Sequence, residues 1–137
     1  MTAAIADRDT TRRDGHKGAA PMAAATKIYG GTIVCLNAAG TATKGATSTT
    51  LKAVGVAEMT VDNSAGSAGD VVVPYRRDGW FRFDNSGGAD AIALADVGAD
   101  CYLVDDSTVA KTSGTNTRSV AGKVRDVDAI GVWISFN

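Results

Sequence analysis

The sequence predicts an all-β protein: a small sandwich or barrel of short antiparallel strands with an extended N-terminal arm. Three observations carry this. Val and Ile outnumber Leu by 20 to 4, and β-branched side chains suit a pleated sheet whereas Leu favours helix. Clusters of Gly, Asn, Asp and Ser recur roughly every 8 to 12 residues, the spacing of strand-turn-strand architecture. The apolar runs between them are too short for an ordinary helix. A length of 137 residues allows one domain plus an arm, or two very small modules.

Residues 1–26 form the expected arm, and 27–137 the β-domain. The arm holds one large aliphatic residue, Ile5, and alternating charges at Asp7, Arg8, Asp9, Arg12, Arg13, Asp14 and Lys17. It cannot bury enough apolar surface to offset the entropy of ordering it, so it needs a partner to hold it still. Arg12, Arg13 and Lys17 before Ala19 to Ala25 faintly resemble a secretion signal, but that stretch is too short and too weakly apolar for a signal core.

Beyond Lys27, Ile28-Tyr29 and Thr32 to Leu36 read as one strand broken at Gly30-Gly31, by a bulge or a close approach. Asn37 to Gly40 is a turn, Lys44 to Thr50 a loop, and Leu51 to Val61 a strand pair. Asn63 to Gly69 is a further loop, made only of Asn, Ser, Ala and Gly. Val71 to Tyr75 is a strand that Pro74 confines to an edge or an end. Arg77-Asp78-Gly79 reads as a hairpin turn. After it, Trp80 and Arg82 share one face of a strand and Phe81 and Phe83 the other. Asn85 to Gly88 turns, and Ala91 to Val97 fits either a strand or a short helical turn. Cys101 to Val104, Ser119 to Val127 and Ile130 to Phe136 are the remaining strands, seven to nine in all.

One internal echo runs through these elements. At a constant separation of 67 residues, Leu36 matches Leu103, Thr41 matches Thr108, Lys44 matches Lys111, Thr50 matches Thr117 and Gly55 matches Gly122. Shared hairpin chemistry and duplication both account for five identities in a chain this rich in Thr and Gly.

Function classes narrow quickly. The net charge of -1 argues against a nucleic-acid partner, which calls for a basic excess. Arg76-Arg77 beside Trp80, Phe81 and Phe83 resembles a stacking platform, but Asp78 and Asp84 flank it, and the aromatics fit a core or a subunit interface better. No run of about 18 apolar residues spans a membrane. One His, one Glu and two Cys leave little for catalysis. His16 sits in the arm, Glu58 lacks a partner carboxylate, and no Gly-x-Ser-x-Gly elbow exists. The expectation is no enzyme, no cofactor and no metal. Asp105-Asp106 and Asp126/Asp128 are better explained as turn-forming residues than as a Ca²⁺ site. Cys35 and Cys101 lie in apolar runs and read as buried reduced thiols. The candidate partner-binding residues are Ile5, Arg8, Arg12, Arg13 and Lys17, with Arg8, Arg12 and Arg13 at near-helical spacing for an acidic surface.

Several runs resemble a known family. Ile28-Tyr29-Gly30-Gly31-Thr32-Ile33-Val34-Cys35-Leu36-Asn37 and Leu51-Lys52-Ala53-Val54-Gly55-Val56-Ala57-Glu58 are similar to small phage head proteins. So are Trp80-Phe81-Arg82-Phe83-Asp84-Asn85-Ser86, Tyr102-Leu103-Val104-Asp105-Asp106 and the run from Asp126 to Trp133. The family is the capsid cement, or head decoration, proteins of Mu-like tailed phages, and the likeness covers about residues 27–137. It implies a β-rich virion protein on the capsid exterior that binds the major capsid protein, bridges capsomers and associates with itself, as a trimer rather than a dimer. The alternative is a tail- or fibre-associated β-module that binds a host receptor or glycan.

Overall fold

In the computed structural model, which describes residues 2–137, the chain forms twelve short strands and two single 3₁₀ turns over those residues. Five strands, β1 (Lys17–Pro21), β3 (Ile33–Leu36), β4 (Ala42–Lys44), β5 (Lys52–Ala57) and β7 (Val72–Arg76), lie in the order β1-β7-β5-β3-β4. Five more, β8 (Phe81–Asn85), β9 (Asp100–Leu103), β10 (Thr108–Ala110), β11 (Val120–Val127) and β12 (Val132–Ser135), close into a barrel in the order β10-β8-β12-β11-β9. β2 (Thr26–Ile28) and β6 (Val61–Asn63) form a separate antiparallel ribbon.

The 67-residue echo is a repeat in strand register. β3 pairs with β5 as Ile33↔Val56, Val34↔Gly55 and Cys35↔Ala53. β9 pairs with β11 as Asp100↔Lys123, Cys101↔Gly122 and Tyr102↔Val120. Both ladders skip one residue at the same place, Val54 in one and Ala121 in the other. The correspondence extends to the neighbouring strands. Val56↔Arg76 matches Lys123↔Ser135, and Tyr75↔Gly18 matches Ile134↔Phe81. The two halves are the same five-stranded unit built twice.

Gly55 and Gly122 sit at the bulge because the next strand passes there. A Cβ on either would fall well inside contact distance of a carbonyl oxygen, that of Arg76 for Gly55 and of Ser135 for Gly122. Gly31 and Gly98, another pair at the same separation, both have positive φ, 84° and 92°. Each N–H donates to the inner strand, Gly31 to Ala57 O at 2.8 Å and Gly98 to Val124 O at 2.8 Å.

Each unit has its own core. Ala20, Met22, Ile28, Val34, Ala42, Ala57 and Val73 fill the first; Phe83, Cys101, Leu103, Val109, Val124, Val132 and Ile134 are at the centre of the second. Matched positions exchange bulk. Ala20 and Tyr75 in the first unit correspond to Phe83 and Ile134 in the second, so a large side chain comes from a different strand in each.

Several expected elements are corrected. The arm does not extend to residue 26. Residues 17–21 form β1, paired along its length with β7 from Lys17↔Arg76 to Pro21↔Val72, and Met22 is fully buried. Arg77-Asp78-Gly79 is a turn but not a hairpin, because β7 and β8 belong to different sheets. Pro74 is not on an outer strand: β7 lies between β1 and β5. It is tolerated because β5 pairs only with Tyr75 and Arg76, and because Ala19↔Pro74 falls where neither residue donates across the β1–β7 ladder. That phase follows from Arg77 N–H to His16 O and Met22 N–H to Val71 O, both at 2.9 Å. Gly30-Gly31 is a turn between strands of two sheets, and Gly30 is the close approach, packed on the Met59 backbone. Ala91 to Val97 contains a 3₁₀ turn at Leu94–Asp96. β1, β4 and β10 were not anticipated as strands.

Candidate interaction surfaces

The N-terminal segment lies outside both units. Residues 2–15 are exposed throughout, and Ile5 keeps 97 % of its surface in contact with solvent. Among the described residues, Arg12 pairs only with Asp14, at 3.2 Å and with both side chains in water, a contact of negligible strength. Arg8 and Arg13 are exposed on the same segment. Lys17 is different from the other candidates. It belongs to β1 and its Nζ lies 3.2 Å from Glu58 Oε1, so it ties the first strand to the loop after β5 rather than reaching outward.

The His, Glu and Cys side chains singled out in the sequence each have a defined setting. His16 faces Asp78 at 3.8 Å on the open surface. Glu58 is engaged by Lys17. Cys35 and Cys101 are free and buried, and burial pushes both thiols up to about 12, far from the thiolate needed for attack. The Cys101 Sγ–H points to Gly122 O at 3.5 Å. Asp105 accepts the Ser107 N–H at 2.9 Å, and Asp128 Oδ1 accepts those of Ile130 and Gly131 at 2.8 and 2.9 Å, as Asx turns do. Asp128 Oδ2 also takes the Trp133 indole N–H at 2.8 Å. That bond first, then the two backbone donors, hold its carboxyl below the usual range.

Arg76 is turned onto Asp78, at 3.1 to 3.3 Å, and the Arg77 guanidinium donates to the Asn137 carbonyl. Phe81 and Phe83 pack against Phe136 at centroid separations of 5.7 and 6.3 Å. The residues of the supposed stacking platform are thus committed to core and surface pairing. Of its three aromatics only Trp80 is exposed, and Arg76 is exposed as well.

The junction between the units is asymmetric. Val34 and Leu36 point into the first core, while Ile33 and Cys35, on the opposite face of β3, join the second unit's core cluster together with Leu51, Ala53 and Val56. The Ile33 N–H donates to Asp106 O at 2.8 Å and Thr47 Oγ1 to Val104 O at 2.9 Å. Ser119 Oγ accepts the Leu51 N–H and donates to Ser48 O at 2.6 Å. The outer face of β3 and β5 thereby receives the β9–β10 hairpin tip. A shallow cleft of about 440 Å³ opens beside this junction, between Leu51–Ala53 and the matching Arg118–Val120, with Asn137 at its rim.

On the second unit the matching outer face is partly exposed. Asp100 stands for Ile33, Tyr102 for Cys35, Val120 for Ala53 and Lys123 for Val56. Asp100 and Lys123 form an ion pair at 2.7 Å where the first unit has two aliphatic side chains, and Val120 is 36 % exposed. Sequence reading passed over this face. Its one available signal was contrast: Ile33-Val34-Cys35-Leu36 is an unbroken apolar run, the mark of a strand buried on both faces, whereas Asp100-Cys101-Tyr102-Leu103 alternates.

Comparison of the chain with known protein families, with curated proteins and with solved structures finds no match.

Proposed function

We propose that this chain is a structural virion protein, a cement protein that binds the outer surface of a phage head and stabilises contacts between major capsid protein subunits. The observation that carries the reading is the combination of a two-unit β-domain, a five-stranded sheet and a closed barrel, with a fully exposed charged segment, residues 2–15. Such a segment reaches beyond the domain's own footprint at up to about 3.3 Å per extended residue. The resemblance of several sequence runs to cement proteins is in keeping with it. Ile5, Arg8, Arg12 and Arg13 then contact the capsid or a neighbouring copy, and the protein acts as a homo-oligomer, a trimer in preference to a dimer, with no nucleic acid and no membrane involved. A ligand that binds only the assembled lattice favours assembly by mass action, about 2.7 kcal/mol per site at a hundredfold excess over its dissociation constant. Oligomers multiply that effect over a symmetric shell.

The test compares particles with and without the chain. Particles carrying it release DNA at a higher temperature than particles stripped of it, and a chain lacking residues 2–15 binds them more weakly. Equal release temperatures end the cement reading. Retention on host cell-surface glycan instead favours the tail- or fibre-associated module.

A further inference from the structure

We propose that the outer face of β9 and β11 is a self-association surface that receives the β3–β4 hairpin tip of a second copy of this chain, head to tail. The inference deepens the homo-oligomer part of the reading above and does not depend on the capsid part.

The chain already contains one example of the contact. Within it, the outer face of β3 and β5 receives the β9–β10 tip, and the Ile33 N–H bonds to Asp106 O. Because both units share strand register, each half of that contact has a counterpart. The counterpart of the face is Asp100, Tyr102, Val120 and Lys123; the counterpart of the tip is Ala38-Ala39. Among the described residues, Asp100 and Lys123 pair with each other, Val120 lines the cleft beside the junction, Thr112 gives its hydroxyl to Asp90, and Ala38-Ala39 makes no bond outside its own turn. Val120, Ala38 and Ala39 are exposed, and Tyr102 is half-buried. Among the described residues, no backbone carbonyl outside the strand ladders takes the Asp100 N–H, the counterpart of Ile33 N–H. An intramolecular contact that joins two different surfaces of a repeated unit is heterologous, and leaves one free copy of each surface at the two ends of the chain. The two free surfaces correspond to that pair along β9 and β11, while beyond Ala110 the second unit turns its Lys111 N–H to Asp90.

The substitutions set how strongly the second contact is made. Asp100 and Lys123 replace an aliphatic pair and keep partial hydration, 39 and 38 % exposed. Thr112 replaces Gly45, whose missing side chain lets the Asp105–Asp106 backbone approach. The contact within the chain is therefore permanent, and the contact between chains is reversible, with the polar character of associations that form and dissociate.

Disulfide trapping of the full-length chain tests this, with Ala39→Cys in one preparation and Thr112→Cys in another, the counterparts of Asp106 and Gly45. Cys35 and Cys101 are buried and stay out of the reaction. Mixing the two variants yields a cross-linked dimer and neither alone does. Sedimentation velocity shows concentration-dependent association of the unmodified chain, lost in both Tyr102→Glu and Val120→Glu while their circular dichroism is unchanged. The double change Asp100→Ile with Lys123→Val, which recreates the face of the first unit, tightens association at least tenfold. Cross-linking of either single variant with itself, or unchanged sedimentation across all these variants, overturns the proposal. If association holds and DNA-release temperatures do not change, only the capsid reading fails.

Discussion

Pro21 and Asp84 occupy the same position in the two units, and one hydrogen bond separates them. The Asp84 N–H donates to Ser107 O at 2.9 Å, and Ser86 N–H to Val109 O at 3.1 Å, so β8 and β10 run parallel and close the second barrel. In the first unit the matching bridge, Met22↔Ala42, is also parallel, and the Ala23 N–H bonds to Ala42 O at 2.9 Å. Pro21 has no N–H to supply the other bond. The first unit is a barrel closed by a single bridge.

Amide exchange reports this difference directly. Ala23 is expected to exchange faster than Ser86, because its bond closes a seam with no neighbour to support it. Asp84→Pro lowers stability to urea by about 1 kcal/mol, the net worth of one hydrogen bond. Pro21→Ala stays within about 0.5 kcal/mol of the parent, since a donor is gained while a restraint on the unfolded chain is lost. Equal protection at Ala23 and Ser86 contradicts the argument.

Truncation separates arm from barrel. Removing residues 2–15 leaves the denaturation midpoint unchanged within error, and brief trypsin treatment cuts first at Arg8, Arg12 or Arg13. Removing residues 2–26 takes away β1, Ala20 and Met22, and the first unit loses cooperative unfolding. An unaltered midpoint for the longer deletion would show that β1 is dispensable.

Gly122→Ala and Gly55→Ala place a methyl group against the carbonyl of the adjoining strand. Each is expected to destabilise by about 2 kcal/mol or more, as overpacking of backbone against backbone does. Gly87→Ala, with open space at the Cβ position, serves as the control and remains near neutral in the same denaturation series.

Acid weakens the fold through its surface carboxylates. The Trp133 indole, then the Ile130 and Gly131 amides and the Arg82 charge, lower Asp128; the Thr112 hydroxyl and then Arg118 lower Asp90. A folded pKa below the unfolded value of about 3.9 means stabilisation that is complete above that value and lost as pH falls through the folded one. Denaturation midpoints should be level near neutrality and fall below about pH 4, and Asp128→Asn should reduce the fall. In a Trp80→Phe background, Trp133 fluorescence titrates with Asp128. A midpoint that does not change with acid removes the assignment.

Thiol reagents give a simple readout of burial. Cys35 and Cys101, with pKa values pushed up to about 12, are inert to a chromogenic disulfide at pH 8 in the folded protein and react together on unfolding. Stoichiometric labelling under native conditions would mean that the cores open.

What the sequence by itself determined is local. Val and Ile content made the class all-β, and alternation located β8, β9, β11 and β12, because pleat geometry acts residue by residue. Asn37 to Gly40 was legible as a turn because the Asn37 side chain bonds its own loop, to the N–H groups of Ala39 and Thr41 at 3.0 Å. The tertiary structure decided everything that depends on a distant partner. Lys-Gly-Ala-Ala-Pro carries almost no apolar signal and becomes β1 only because β7 supplies the ladder and Tyr75 fills the space over Gly18. The 67-residue echo became a repeat only through matching register, which five scattered identities cannot specify. The outer faces of β3 and β9 are equivalent by pairing and opposite in environment, since one is covered by the neighbouring unit. Local chemistry sets strand and turn, whereas burial of a face depends on what packs against it.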